Sequence, residues 1–152
     1  MKKSSYLTTA IAIVLIIIFL GVAVLMQKTC TLQSFLLLTI FVPLLVVSIA
    51  AFVNGLLNPE KLIKAMEFNI LTVFIVEIIE LFFSRVFLSS KEFINRLELM
   101  PRGSNIQIHV GRVGDFISEF IVFVAITSLF SFVGAKLAAL FLKERYKYRK
   151  ER

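Results

Sequence analysis

Four apolar stretches of membrane-spanning length alternate with short polar breaks along the chain. A basic leader, Met1 to Tyr6, precedes a run of residues without a charge from Leu7 to Met26. The leader has the flank of a signal peptide, but the apolar run is too long for one and no A-x-A site closes it. It therefore predicts a retained first span over 7–26. The next charge-free interval, Thr29 to Pro59, predicts a second span over 33–57. Pro43 removes a backbone donor in its interior and clashes with the preceding turn, so a kink is expected between Thr39 and Pro43. Ser48, Ala51 and Gly55 form a small-residue stripe that lets another helix approach closely.

Asn58-Pro59-Glu60 reads as a helix start: an N-cap side chain, a proline where its missing N–H costs nothing, and an acid at the positive end of the helix dipole. Lys61 and Lys64 mark a water boundary, and a third span follows over 62–88. Asp115 is placed to cap a fourth, over 116–142, in which Ser131, Ala135 and Ala139 repeat the small-residue spacing. The expected fold is an all-α, polytopic four-transmembrane-helix bundle forming a single membrane domain. Its one sizeable connection, 89–115, holds Pro101-Arg102-Gly103-Ser104-Asn105 between Leu97-Glu98-Leu99 and the alternating run Ile106 to Val110. A short interfacial helix, then a turn and an extended segment, is expected there, with a small β-hairpin as the competing form.

Composition agrees with this class: 59% of the 152 residues are hydrophobic. The net charge of +7 sits at the ends of the apolar runs, a topology pattern and not a phosphate-tracking groove, so nucleic acid is excluded as a partner. Four spans bring both termini to one side. With the termini cytoplasmic, ten basic residues lie inside: Lys2, Lys3, Lys61, Lys64 and six in the tail 143–152. Lys28, Arg85, Lys91, Arg96, Arg102 and Arg112 would lie outside, and Tyr6, Tyr146 and Tyr148 at the inner interface. The expected location is the cell membrane, with the tail against anionic lipid. A single cysteine, Cys30, and a single histidine, His109, exclude an intrachain disulfide and a Cys/His metal cluster, and nothing calls for a cofactor.

The costly residues are the ionisable ones inside the spans: Glu67, Glu77, Glu80 and Arg85 on the third, Glu119 and Lys136 on the fourth. An antiparallel register can place Glu67 beside Lys136 and Arg85 beside Glu119 as two structural ion pairs; the alternative is that all four snorkel to the nearest interface. Glu77 and Glu80 have no basic partner in this scheme. With Asn69 and Ser84 they share an arc roughly perpendicular to the direction of Glu67 and Arg85. Two ionised acids at a helix centre cost roughly 5–7 kcal/mol on insertion scales, against at most roughly 5–9 kcal/mol returned by the apolar residues from Phe68 to Leu88. The span inserts only narrowly, so at least one of the two acids should hold a proton or a cation be bound.

Three functions compete. In the first, Glu77 and Glu80 bond to Thr127, Ser128 or Ser131, or to a partner subunit, and the protein is a structural or assembly subunit of a membrane complex or homo-oligomer. The alternative is proton or cation translocation through Glu77 and Glu80 beside Pro43. An enzyme using His109, Arg112, Asp115 and Glu119 would lack a nucleophile, a metal motif or a phosphate loop, so no enzyme is expected.

Overall fold

The computed structural model describes residues 3–26, 29, 34–35, 37–88 and 113–150, with the side chains of 84, 87, 88, 113–116 and 143–150 outside that description. Four long helices account for nearly all of these residues: α1 Lys3–Leu25, α2 Leu37–Leu57, α3 Leu62–Leu88 and α4 Val113–Lys150. No strand occurs among the described residues. Three helical stretches, Lys3–Leu25, Leu37–Leu57 and Ile117–Leu142, are long and apolar enough to cross a membrane. Their side chains explain this: Leu7, Ile11, Val14, Ile18, Phe41, Leu45, Ile49, Ile121, Leu129 and Leu140 are all exposed. Apolar surface on this scale is incompatible with water and suited to lipid. Helix α3, 27 residues long, has the length of a span and carries five ionisable residues, Lys64, Glu67, Glu77, Glu80 and Arg85.

The break at Pro43 takes a defined form. Leu37–Phe41 is a wide π-helical turn, and regular α-helix resumes at Val42, with Pro43 in its first turn. A proline that cannot donate to the preceding turn is accommodated by letting that turn widen. The Thr39 hydroxyl donates to the Phe35 carbonyl at 2.8 Å. Pro59–Lys61 forms a 3-10 turn, and α3 proper begins at Leu62. Asn58 does not cap it with its side chain as expected. Its amide reaches back instead, donating to Ser5 Oγ at 2.7 Å and to the Asn54 carbonyl at 3.0 Å. Helix α4 begins two residues before Asp115 and runs on through the basic segment to Lys150, beyond the expected end of the span. The expectations for the connecting segment, including His109 and Arg112, and for Cys30 lie outside the described residues.

Helices α2 and α4 make the closest contact. A methyl group on Gly55 would strike the Ser131 carbonyl, and one on Gly134 would strike the Phe52 carbonyl. The small-residue stripes thus face each other: Ser48, Ala51 and Gly55 are buried on α2, and Ser131, Gly134 and Ala135 on α4. Ala139 is exposed. Small side chains at the crossing let two backbones touch, which is how helices gain packing energy without a hydrophobic drive between them.

The interior is layered. At the end where α1 begins, Ser5 meets Asn58. One turn further in, the Asn54 amide donates to Thr9 Oγ1 at 3.3 Å and to Asn69 Oδ1 at 3.0 Å, joining α1, α2 and α3. Two turns beyond Thr9, Asn54 and Asn69 stand Ile16, Val47 and Val76, which cluster with Leu20, Val73 and Phe123 as the buried apolar core. The heptad step from polar to apolar recurs on all three helices, so each layer is level across them. Beyond this core lie Glu77, Glu80 and Glu119.

Candidate functional site: a buried three-carboxylate centre

Helix α3 turns one stripe inward: Ala65, Asn69, Val73, Val76 and Glu80, with Glu77 on its flank, are all buried. This is the period of a helix whose inner face follows its neighbours. Glu67 and Arg85, on the other side of the same helix, are exposed. Glu77 is 1% exposed and Glu80 9%, values rarely seen for a glutamate. Glu119, half-buried on α4, completes the site: the three side chains offer carboxylate oxygens that all lie within 4.8 Å of one another. Oε1 of both Glu77 and Glu80 has no hydrogen-bond partner among the described residues.

The register of α3 against α4 differs from the one that would form the expected ion pairs. Phe74 packs edge-on against Phe120, with ring centroids 6.2 Å apart, and Glu119 meets Glu77 and Glu80 where the charge-pairing register would bring it to Arg85. The offset of five to eight residues along α3 is a slide of about 8–12 Å. The contacts of Gly55 with Ser131 and of Gly134 with Phe52 hold α4 against α2, a constraint that charge matching did not include. Glu67 and Lys136 are both exposed, and the Lys136 ammonium lies 5.3 Å above the Phe132 ring, one turn away on its own helix. These side chains and Arg85 adopt the exposed positions that snorkelling requires.

Of the remaining expected partners, Thr127 and Asn69 are bonded elsewhere. Thr127 donates its hydroxyl along its own helix to the Phe123 carbonyl at 2.7 Å, and Asn69 is tied to Asn54. Ser131 is fully buried at the Gly55 contact, and Ser128 is half-buried. The side chain of Ser84 lies outside the described residues. Sequence reasoning therefore found two members of the site and assigned the third, Glu119, to a different partner. It passed over Thr9, Asn54 and Gly134; the signal available for Asn54 was an amide in the middle of a charge-free span.

Chemically, three carboxylates in a water-poor interior form a site for positive charge. Placed this close in a low dielectric they cannot all be ionised without a compensating cation. A shared proton or a small, hard cation with oxygen ligands satisfies the same geometry. Comparison with family models, curated proteins and solved structures found no match to this chain.

Proposed function

We propose that this is a four-span protein of the cell membrane, with both termini cytoplasmic, that takes up and releases a proton or a small cation at Glu77, Glu80 and Glu119. The observation that carries this reading is the convergence of three carboxylates within 4.8 Å inside the bundle, two of them more than nine-tenths buried with an oxygen unpartnered among the described residues. An assembly subunit would turn such acids toward its partner. Here Glu77 and Glu80 point into the chain's own interior, where their ionised forms need positive charge beside them. A site that requires compensation, and that protons and cations can compensate alternately, is the minimum equipment of an exchanger or a proton-coupled carrier.

The π-helical turn adds a means of access. One turn from Val47 in α2 stands Pro43 and one turn from Val76 in α3 stands Glu80, so the irregular turn begins at the level of the carboxylates. Irregular backbone in a membrane helix occurs where it lines a protein interior or a cavity.

The test is flux through the purified protein in sealed liposomes. Glu77→Gln and Glu80→Gln preserve the shape and hydrogen-bonding capacity of a protonated acid but cannot cycle charge. Wild type is expected to dissipate an imposed proton or cation gradient, and each variant to assemble normally and lose that flux. A wild type that carries nothing under either gradient contradicts the proposal.

A further inference from the structure

The second buried polar layer has open hydrogen-bonding capacity of its own. Asn54 and Asn69 share one hydrogen bond, from Nδ2 of the first to Oδ1 of the second, at 3.0 Å. That bond leaves an acceptor, Asn54 Oδ1, and a donor, Asn69 Nδ2, both buried and both without a partner among the described residues. The side chains are 0% and 2% exposed. Thr9 closes the layer from α1, and Ser5 with Asn58 continues it one turn toward the end of the bundle. Buried donors and acceptors are almost always satisfied, and a paired orphan donor and acceptor in a polar setting is the arrangement that holds an ordered water.

Seven residues beyond this layer the chemistry reverses. Ile16, Val47, Val76, Leu20, Val73 and Phe123 form an apolar cluster drawn from all four helices, with the buried hydroxyls of Ser48 and Thr72 adjoining it in sequence. Along α3 the buried order is Asn69, then Thr72, whose hydroxyl donates to the Phe68 carbonyl of its own helix, then Val73 and Val76, then Glu77 and Glu80. At about 1.5 Å per residue the apolar step, Val73 to Val76 on α3 and Ile16 to Leu20 on α1, is roughly one turn thick. A barrier of that thickness lined by valine, isoleucine and phenylalanine gates by dewetting: water is expelled from it unless the walls move or acquire a polar group.

We infer that the Thr9–Asn54–Asn69 layer binds water, and that the Val47–Val73–Val76–Phe123 layer seals this water from the carboxylates. The inference rests on the proposed translocation only for the purpose of the arrangement: the amide layer becomes the access route from the end bearing Ser5 and Asn58, and the apolar layer its gate. The site and its ligand stand without that reading.

The test uses the full chain, labelled with 13C and 15N in lipid bilayers, and solid-state NMR polarisation transfer from water. Transfer is expected to the side-chain amides of Asn54 and Asn69 and not to the methyl groups of Val73 and Val76. Dry amides overturn the inference, and so do valine methyls as wet as the amides. A Val76→Asn variant puts a polar group into the barrier, so its methyl neighbour Val73 should become hydrated, and gradient dissipation in liposomes should rise several-fold. Wet amides and dry valines in a wild type and a Val76→Asn variant that both lack flux would uphold the hydrated layer while removing the transport reading above.

Discussion

Gly55 and Gly134 decide how closely α2 and α4 approach, because any side chain at either position meets the opposing backbone and not a flexible neighbour. Gly55→Val should therefore destabilise by about 1–3 kcal/mol or prevent assembly, read as a lowered melting temperature in mild detergent. Gly21 has open space around its α-carbon, and Gly21→Ala should leave the melt unchanged. Asn54→Leu removes the donor to both Thr9 and Asn69, leaving Asn69 Oδ1 without its protein partner; the expected cost is about 1–3 kcal/mol by the same measurement. At this scale the sequence was most misleading about charge. Glu67, Arg85, Glu119 and Lys136 could be matched arithmetically, but opposite charge fixes a register only where burial makes the unpaired state costly, and Glu67, Arg85 and Lys136 are exposed. The single variants Glu67→Gln and Lys136→Gln should each assemble as wild type does, a result that gel filtration can check. What periodicity could show was which acids point inward, since Glu77 and Glu80 share the stripe of Asn69.

The helices themselves were legible because apolar run length and charge-free intervals are direct consequences of the solvent they face. Helix α2 ends at Leu57 and α3 begins at Leu62, on either side of Asn58-Pro59. The irregularities were legible in position and not in kind. Pro43 announces a disruption, but whether a helix kinks, unwinds or widens depends on what packs beside it, and here the answer is a π-helical turn over Leu37–Phe41. Restoring the amide with Pro43→Ala should let the turn contract toward α-helix, slowing hydrogen exchange at the amides of Leu37–Phe41; unchanged exchange would place the cause of the π turn elsewhere. Likewise Asn58-Pro59 signals a helix start, yet the asparagine side chain serves Ser5 on α1, a partner 53 residues away that no local pattern encodes. The length of α4 follows from Val113–Lys150 containing neither proline nor a glycine beyond Gly114 and Gly134.

Across the whole molecule, function depends on the order of the layers. Polar groups at Ser5–Asn58 and Thr9–Asn54–Asn69, an apolar core from Ile16 to Phe123, and the carboxylates at the far side form a sequence of wet, dry and charged along the bundle. None of these layers lies in one stretch of chain. Each is assembled from two to four elements, so it emerges only once the registers are known, and the register of α4 was the one that sequence matching misplaced. The central claim is that Glu77, Glu80 and Glu119 act as one exchangeable site for positive charge. The most direct measurement is infrared difference spectroscopy of the protein in bilayers, recorded while the bathing pH is raised or a cation is added at constant pH. The account predicts loss of a protonated-carboxyl band and gain of a carboxylate band, both diminished in Glu80→Gln and in Glu119→Gln. A wild-type spectrum that stays unchanged by pH and by monovalent and divalent cations alike, or one that changes identically in both variants, would contradict it.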